Sequence, residues 1–342
     1  MHLGIEIGGT KLQLGVGTGD GSPLAELARF DVDAARGAEG IRGQILKAAR
    51  PLLARHDIAR IGCGFGGPID AAAGRVVRSH HVEGWAGFPL AAWLQESLLR
   101  PVTIANDADT AGLAEARFGA GRGANPVFYV TVGTGIGGGL IVDGKIYRGN
   151  GAGAAELGHL RPGLDAASPE ENLESLAAGW GIAAQMHAKL RQTSAGATPV
   201  SAMRSAAEHS QTAGDVRAGD DPSRLGGSLA LPKLAVPDYT ARDVAALAAA
   251  GDVIAREVMD RATQALGWGL AQMITLLSPA VVVVGGGVTL AGEAFFSPLR
   301  QQTARYVFPP FAGTYRIEPA ALGEEVVVHG ALALAADGAE SA

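Results

Sequence analysis

The chain has 342 residues, with 28 Lys and Arg against 34 Asp and Glu, a formal net charge of −6; it has no basic surplus to neutralise a phosphodiester backbone, which excludes nucleic acid as a first guess at a partner. Apolar residues make up 47%, ample for a buried core, but no apolar run approaches the ~18 residues of a membrane span, and the N-terminus lacks the pattern of a secretory signal. One cysteine, Cys63, excludes a disulfide framework and a cysteine-rich zinc site, so the expectation is a cytoplasmic protein of about two domains.

Leu3, Ile5 and Ile7 alternate, and after Gly8-Gly9-Thr10 so do Leu12, Leu14 and Val16, which predicts two strands joined by a tight turn. Residues 17–23 read as a turn and 24–32 as a third strand. Ile41, Ile45, Leu46, Leu52 and Leu53 share one face of a helix over about 38–56. A strand over 58–65 buries Cys63, and Pro89 opens a helix through Leu99. A short strand at 102–105 runs into Asn106-Asp107, where a helix to about Gly119 begins. A strand at 127–132 leads to a glycine loop, a strand at 140–142 and a hairpin turn at Asp143-Gly144. One helix is expected over about 170–191. Residues 193–238, rich in Ser, Gly, Ala, Pro and Asp, read as an inserted loop or lid with a short helix near 200–208. Helices follow at 241–250 and 253–277, then an apolar strand at 281–284 feeding Gly285-Gly286-Gly287. The chain closes with a helix, a loop, a strand near 315–319 and a helix over about 326–336.

This order gives two α/β lobes, residues 1–118 and 119–342, with the last helix free to pack back on the first lobe. Each lobe opens with a strand, a Gly/Thr turn and a strand that runs straight back, as in a structural duplication.

Two glycine patterns mislead. Gly133-Thr134-Gly135-Ile136-Gly137-Gly138 fits the dinucleotide fingerprint, but that motif needs a helix directly after it, and Leu140-Ile141-Val142 follows instead. Residues 139–145 fit a P-loop until Ile146 stands where a Ser or Thr is required. The turns Gly8-Gly9-Thr10 and Gly133-Thr134-Gly135 suit anion binding of another kind. Without bulky side chains, successive N–H groups converge on an anion, and two such turns across a cleft make a phosphate clamp. Asn106 and Asp107 are good helix caps, and at the end of a strand in the same lobe Asp107 is also a candidate general base. Glu156, His159 and Glu174, with Asn106, supply the directional donors and acceptors that vicinal hydroxyls need.

Ile5-Glu6-Ile7-Gly8-Gly9-Thr10-Lys11, Gly66-Gly67-Pro68-Ile69-Asp70, Asn106-Asp107-Ala108, residues 132–139, Glu156-Leu157-Gly158-His159 and Val284-Gly285-Gly286-Gly287-Val288 occur in the order found in the ROK family of bacterial sugar kinases and sugar-responsive repressors. The chain resembles that family over nearly its whole length apart from the insert. The resemblance implies a duplicated actin-like, hexokinase-like (ribonuclease H-like) ATPase fold with two lobes around a cleft. It implies that Gly8, Gly9, Thr10, Lys11, Gly133, Thr134 and Gly135 hold the phosphates of ATP and that Gly285, Gly286 and Gly287 hold its adenosine. It further implies Asp107 as the catalytic base, Asn106, Glu156, His159 and Glu174 as sugar ligands, Gly74-Arg75 as a looser sugar contact, and Glu6 as an indirect neighbour of Mg2+. The implied reaction is phosphorylation of a hexose on its primary hydroxyl, glucose first, with fructose, N-acetylmannosamine, N-acetylglucosamine and allose as alternatives, by a homodimeric enzyme. A non-catalytic sugar sensor is the implied rival. Repressors of the family carry a helix-turn-helix ahead of the first strand, which here begins by Leu3. Many members bind zinc through His and a cysteine stretch; here residues 162–174 carry no Cys, Asn172 stands in the place of the final one, and no structural zinc is expected.

Overall fold

The structure is a computed structural model and describes residues 1–79, 82–150, 153–196 and 238–340. The short helix expected near 200–208 lies outside the described residues.

Strands β1 (His2–Ile7), β2 (Lys11–Gly17), β3 (Glu26–Asp31) and β4 (Arg60–Phe65) join, beyond a small hairpin of β5 (Ile69–Asp70) and β6 (Arg75–Val76), with β7 (Val102–Asn106). They form a sheet in the order β3-β2-β1-β4-β7, antiparallel among the first three and parallel from β1 to β7. The second sheet repeats this plan strand for strand. Strands β8 (Val127–Val132), β9 (Ile136–Val142), β10 (Lys145–Ile146), β11 (Val281–Gly285) and β12 (Arg316–Pro319) lie in the order β10-β9-β8-β11-β12 with the same directions. The two sheets make a two-lobed α/β architecture.

Both sheets are covered on both faces, and the reason is written in β1 and β4. Large apolar residues alternate there with glycine: Leu3, Ile5 and Ile7 with Gly4; Ile61, Cys63 and Phe65 with Gly62 and Gly64. The large face packs on helices α1 (Gly37–Arg55) and α2 (Leu90–Leu98) through Ile41, Ile45, Leu90 and Leu94. Fully burying each such side chain contributes about 1.5–3 kcal/mol. The glycine face leaves room for a helix to touch the sheet backbone. That helix comes from the far end of the chain. A Cβ at Gly62 would lie 1.7 Å from the Ala331 carbonyl oxygen, and one at Gly4 2.7 Å from that of Val328.

In chain order the remaining helices are α3 (Asp107–Phe118), α4 (Leu173–Ala177), α5 (Gly179–Gly196), α6 (Ala241–Ala249), α7 (Val253–Leu277), α8 (Glu293–Tyr306) and α9 (Val326–Glu340). Helix α9 is the one that lies on β1, β2, β4 and β7, whereas α3 lies on β8 and β9 of the other sheet. The two cross between the sheets, where a Cβ at Gly330 would fall 1.9 Å from the Thr110 carbonyl oxygen. Buried Glu115 of α3 braces this crossing: its carboxylate accepts the amides of Ala321 and Leu322 at 2.9 Å each and of Ala120 at 2.8 Å. Helices α4 to α8 cover the outer face of the second sheet around Phe128, Val130, Val282 and Val284. No helix among the described residues is long and apolar enough to cross a membrane.

Two elements depart from the sequence pattern. The glycines at 137–139, expected in a loop, belong to β9. They pair with Tyr129, Val130 and Thr131 of β8, and being glycine they let α3 and the loop before Leu157 lie against them: a Cβ at Gly139 would meet the Ala108 carbonyl oxygen at 2.9 Å, and one at Gly138 that of Ala155 at 2.2 Å. The helix expected over 170–191 is divided into α4 and α5 by extended Ala178. The Gly179 amide donates to the Gly133 carbonyl at 2.8 Å, which draws the chain onto the second glycine turn.

These contacts separate two glycine substitutions by sign. Gly62→Ala forces a methyl into the α9 backbone and lowers unfolding stability by at least about 1–3 kcal/mol. Gly43→Ala, in α1 with nothing within 4 Å of the added carbon, raises it by about 0.5–1 kcal/mol. Urea denaturation of the two variants reads both.

Candidate active site

Asn106 and Asp107 stand where β7 becomes α3, at the carboxyl end of the parallel strands. Asn106 caps the helix: its side-chain oxygen accepts the amides of Ala108 at 2.8 Å and Asp109 at 3.2 Å. Its Nδ2 donates to the Gly67 carbonyl at 3.0 Å, leaving one amide hydrogen for a ligand. That bond fixes the Gly66-Gly67 loop beside Asp107. A Cβ at Gly66 would lie 3.4 Å from Asp107 Oδ2 and 3.4 Å from the Gly8 Cα, so the first glycine turn and the carboxylate share one small space. Asp107 keeps some contact with solvent. Burial pushes its carboxyl up to about 7; the Ala108 amide bond opposes this, and the charges of Glu6 and Glu156 reinforce it.

The first turn is closed by the Gly8 amide donating to the Lys11 carbonyl at 2.9 Å. The Lys11 side chain turns away from the tip: its Nζ lies 3.2 Å from Glu6 Oε1 and 3.2 Å from the Glu324 carbonyl. Gln13 completes this group, donating to Glu6 Oε2 at 2.7 Å and to the Glu324 carbonyl at 2.9 Å. Burial pushes the Glu6 carboxyl above the usual carboxylate range, against the pull of Lys11 and Gln13. Gln13 escaped the sequence reading, although an amide directly opposite Glu6 in an otherwise apolar strand was a signal.

At the second turn the Gly133 amide donates to the Gly135 carbonyl at 2.9 Å, with exposed Thr134 at the tip. Glu174, one residue into α4, reaches this turn as well: its Oε1 accepts the Ile136 amide at 2.6 Å. Gly285, Gly286 and Gly287 leave β11 beside the same turn. Gly286, at φ +95°, lies on Val132, where a Cβ would meet the carbonyl oxygen at 2.5 Å. Glu156 follows Ala155, a non-glycine residue at φ 63°, and opens the 3₁₀ turn Leu157–His159. Glu156 and His159 are open to solvent. Even so, desolvation pushes the Glu156 carboxyl above its ordinary value, with His159 opposing and Glu174 reinforcing.

The charges therefore form one connected set: Asp107 feels Glu6 and Glu156, and Glu156 feels His159 and Glu174. Asp109 joins it unannounced by the sequence. It is 6% exposed, its Oδ1 has no hydrogen-bond partner, and its carboxyl is pushed up to about 7 by burial, against the pull of Arg148. Gly74 and Arg75 lie in the β5–β6 hairpin. The Gly74 carbonyl accepts the Ala91 amide of α2 at 3.0 Å, Arg75 is exposed, and no hydrogen bond or ion pair among the described residues joins them to the carboxylates.

The loop from His159 to Glu174 does not suit zinc. It contains neither Cys nor a further His, and Glu170 and Glu171 are engaged with Ser168 and with the Ala167 amide.

A sequence profile of the ROK family matches residues 2–338. A glucokinase of Halalkalibacterium halodurans is 30% identical over 96% of this chain and 93% of its own. In structure the chain is similar to a ROK family glucokinase from Streptomyces griseus in complex with glucose and AMPPNP, with a TM-score of 0.76 at 27% identity over 98% of this chain and 99% of that one. It is also similar to a ROK hexokinase from Thermus thermophilus, with a TM-score of 0.73 at 28% identity over 100% and 99%.

The raised carboxyls give stability a definite pH slope. Asp107 titrates near 3.8 when unfolded and near 7 when folded. Between those values the folded chain holds the extra proton, so stability falls as pH rises. Asp107→Asn removes that dependence. Its melting temperature relative to wild type is therefore higher at pH 8 than at pH 5, as thermal unfolding at the two pH values measures; an equal difference at both contradicts the assignment.

Proposed function

The chain belongs to the ROK family, and from that membership we propose that it transfers the terminal phosphoryl group of ATP to the primary hydroxyl of a hexose, glucose before other sugars. The observation that carries this reading is Asp107, a solvent-touching carboxylate at the start of α3, crowded by Gly66 beside the first glycine turn and coupled by charge to Glu156. A base whose proton affinity lies near neutrality suits removal of a hydroxyl proton at physiological pH. Glucose comes first because the Halalkalibacterium relative is a glucokinase and the Streptomyces one is in complex with glucose and AMPPNP. Use of ATP and a free sugar fits an enzyme of the cytoplasm.

In this reading the turns at Gly8-Gly9-Thr10 and Gly133-Thr134-Gly135 cradle the phosphates with backbone amides. Gly285, Gly286 and Gly287 face the adenosine. The sugar hydroxyls meet Asn106, Glu156, His159 and Glu174. Asp107 accepts the proton of the primary hydroxyl while its oxygen bonds to the terminal phosphorus and the bond to the bridging oxygen of ADP breaks. Hexose 6-phosphate and ADP leave. The transferring group is loosely bonded at the transition state, so the protein acts chiefly by alignment and charge.

The residues fit a divalent cation carried mainly by the nucleotide. Among the described residues no cluster of three side chains could hold a metal by itself, yet Glu6 and Asp107 are two desolvated carboxylates, and the charge of the first raises the proton affinity of the second. Mg2+ on the phosphates, with Glu6 and Asp107 as its neighbours, would neutralise charge that develops during transfer.

A coupled ADP-release assay over glucose, fructose, allose, N-acetylmannosamine and N-acetylglucosamine tests the substrate; absence of turnover with every sugar defeats the reading. Asp107→Asn lowers kcat by roughly 10²–10⁴ with little change in sugar affinity, and near-normal turnover would remove Asp107 from its role. Glu156→Ala weakens sugar binding by about 1.5–3 kcal/mol, read by calorimetry.

A further inference from the structure

Asn172 is 8% exposed and sits between His159 and Glu174 in a loop whose two ends are pinned together by the Leu173 amide donating to the Leu160 carbonyl at 2.9 Å. Its side chain makes both kinds of bond an amide offers. Oδ1 accepts the Ser175 amide at 3.1 Å, capping α4, and Nδ2 donates to the Pro169 carbonyl at 3.2 Å. The Ser175 hydroxyl returns a bond to the Asn172 carbonyl at 2.7 Å.

Helix α4 is five residues long, too short to hold its shape alone. It carries Glu174, whose carboxylate accepts the Ile136 amide, and it is followed by Gly179, whose amide holds the Gly133 carbonyl. The segment is therefore bound to the second glycine turn at both ends. A shift of α4 moves Glu174 and the turn together.

We propose that Asn172 is a positioning residue: by capping α4 and tying it to Pro169 it sets the Glu174 carboxylate for the sugar, and through Ile136 it couples the sugar pocket to the second phosphate turn, without a metal ion. The assignment of Glu174 to the sugar rests on the kinase reading above. The mechanical link from Asn172 to Ile136 does not.

Two measurements on the full chain separate these. The first is hexose Kd by calorimetry, for wild type and for Asn172→Ala and Asn172→Asp. The alanine variant loses the cap and raises Kd roughly five- to tenfold. The aspartate variant keeps the acceptor for Ser175, loses the bond to the Pro169 carbonyl, and falls between the alanine variant and wild type. Wild type stripped with a strong chelator keeps its sugar affinity. The second is amide hydrogen exchange at Ile136 with no sugar present, which speeds up several-fold in Asn172→Ala and returns toward wild type in Asn172→Asp. If wild type binds no hexose, the kinase reading fails, and exchange at Ile136 still decides the positioning role. Unchanged Ile136 exchange in Asn172→Ala, an unchanged hexose Kd in that variant where wild type binds, or loss of sugar affinity on chelation would each overturn the proposal.

Discussion

Everything in this protein depends on helices resting on bare backbone. Gly4 and Gly62 on one sheet accept α9; Gly137 and Gly139 on the other accept α3. Because α3 follows the first sheet in the chain and α9 follows the second, each sheet is followed by the helix that covers the other. A side chain at Gly62 or Gly330 would separate the layers and take the start of α3 with them. Asp107 is the first residue of that helix. It is fixed to the first sheet through β7 and to the second through Ala108. A carboxylate held from both sides keeps its alignment.

The same crowding sets the electrostatics. Glu6, Asp107, Asp109 and Glu156 are all pushed toward the protonated state, first by desolvation. Lys11 answers Glu6, and Arg148 and His159 answer parts of the rest, but the set stays rich in negative charge. Such a site favours ligands that bring cations and hydroxyl donors, and it resists bare anions unless backbone amides receive them. The glycine turns provide those amides. At the second turn the supply is shared, since the Ile136 amide is already bonded to Glu174. Glu174 and the second glycine turn are thus parts of one hydrogen-bonded unit.

The resemblance to zinc-bearing relatives leaves open what orients His159. The loop between His159 and Glu174 is held by local hydrogen bonds of Asn172, Ser168 and Glu171 and contains no thiolate. It is also closed by a backbone bond and anchored by fully buried Leu173.

Short-range order was legible from the residues alone. The alternation in β1 and β2, the strand at Val127–Val132, the helix at Val253–Leu277 and the capped start at Asn106-Asp107 follow from period and capping, which depend on neighbours in the chain. So did the recurrence of a glycine turn at the head of each lobe. What packs across from each residue was not legible, because the partners are far away in sequence. Gly137 to Gly139 became strand by pairing with β8; the helix after Asn172 broke where Gly179 met Gly133; Lys11 turned to Glu6 because Glu324 lies beside it; and Asp109 entered the charged set because α3 is buried against the second sheet. The sequence determined where the backbone turns and which residues could do chemistry, since sterics and capping act within a few residues. Only the tertiary structure decided which of those groups meet, since desolvation and close contact are properties of what the rest of the chain places around them.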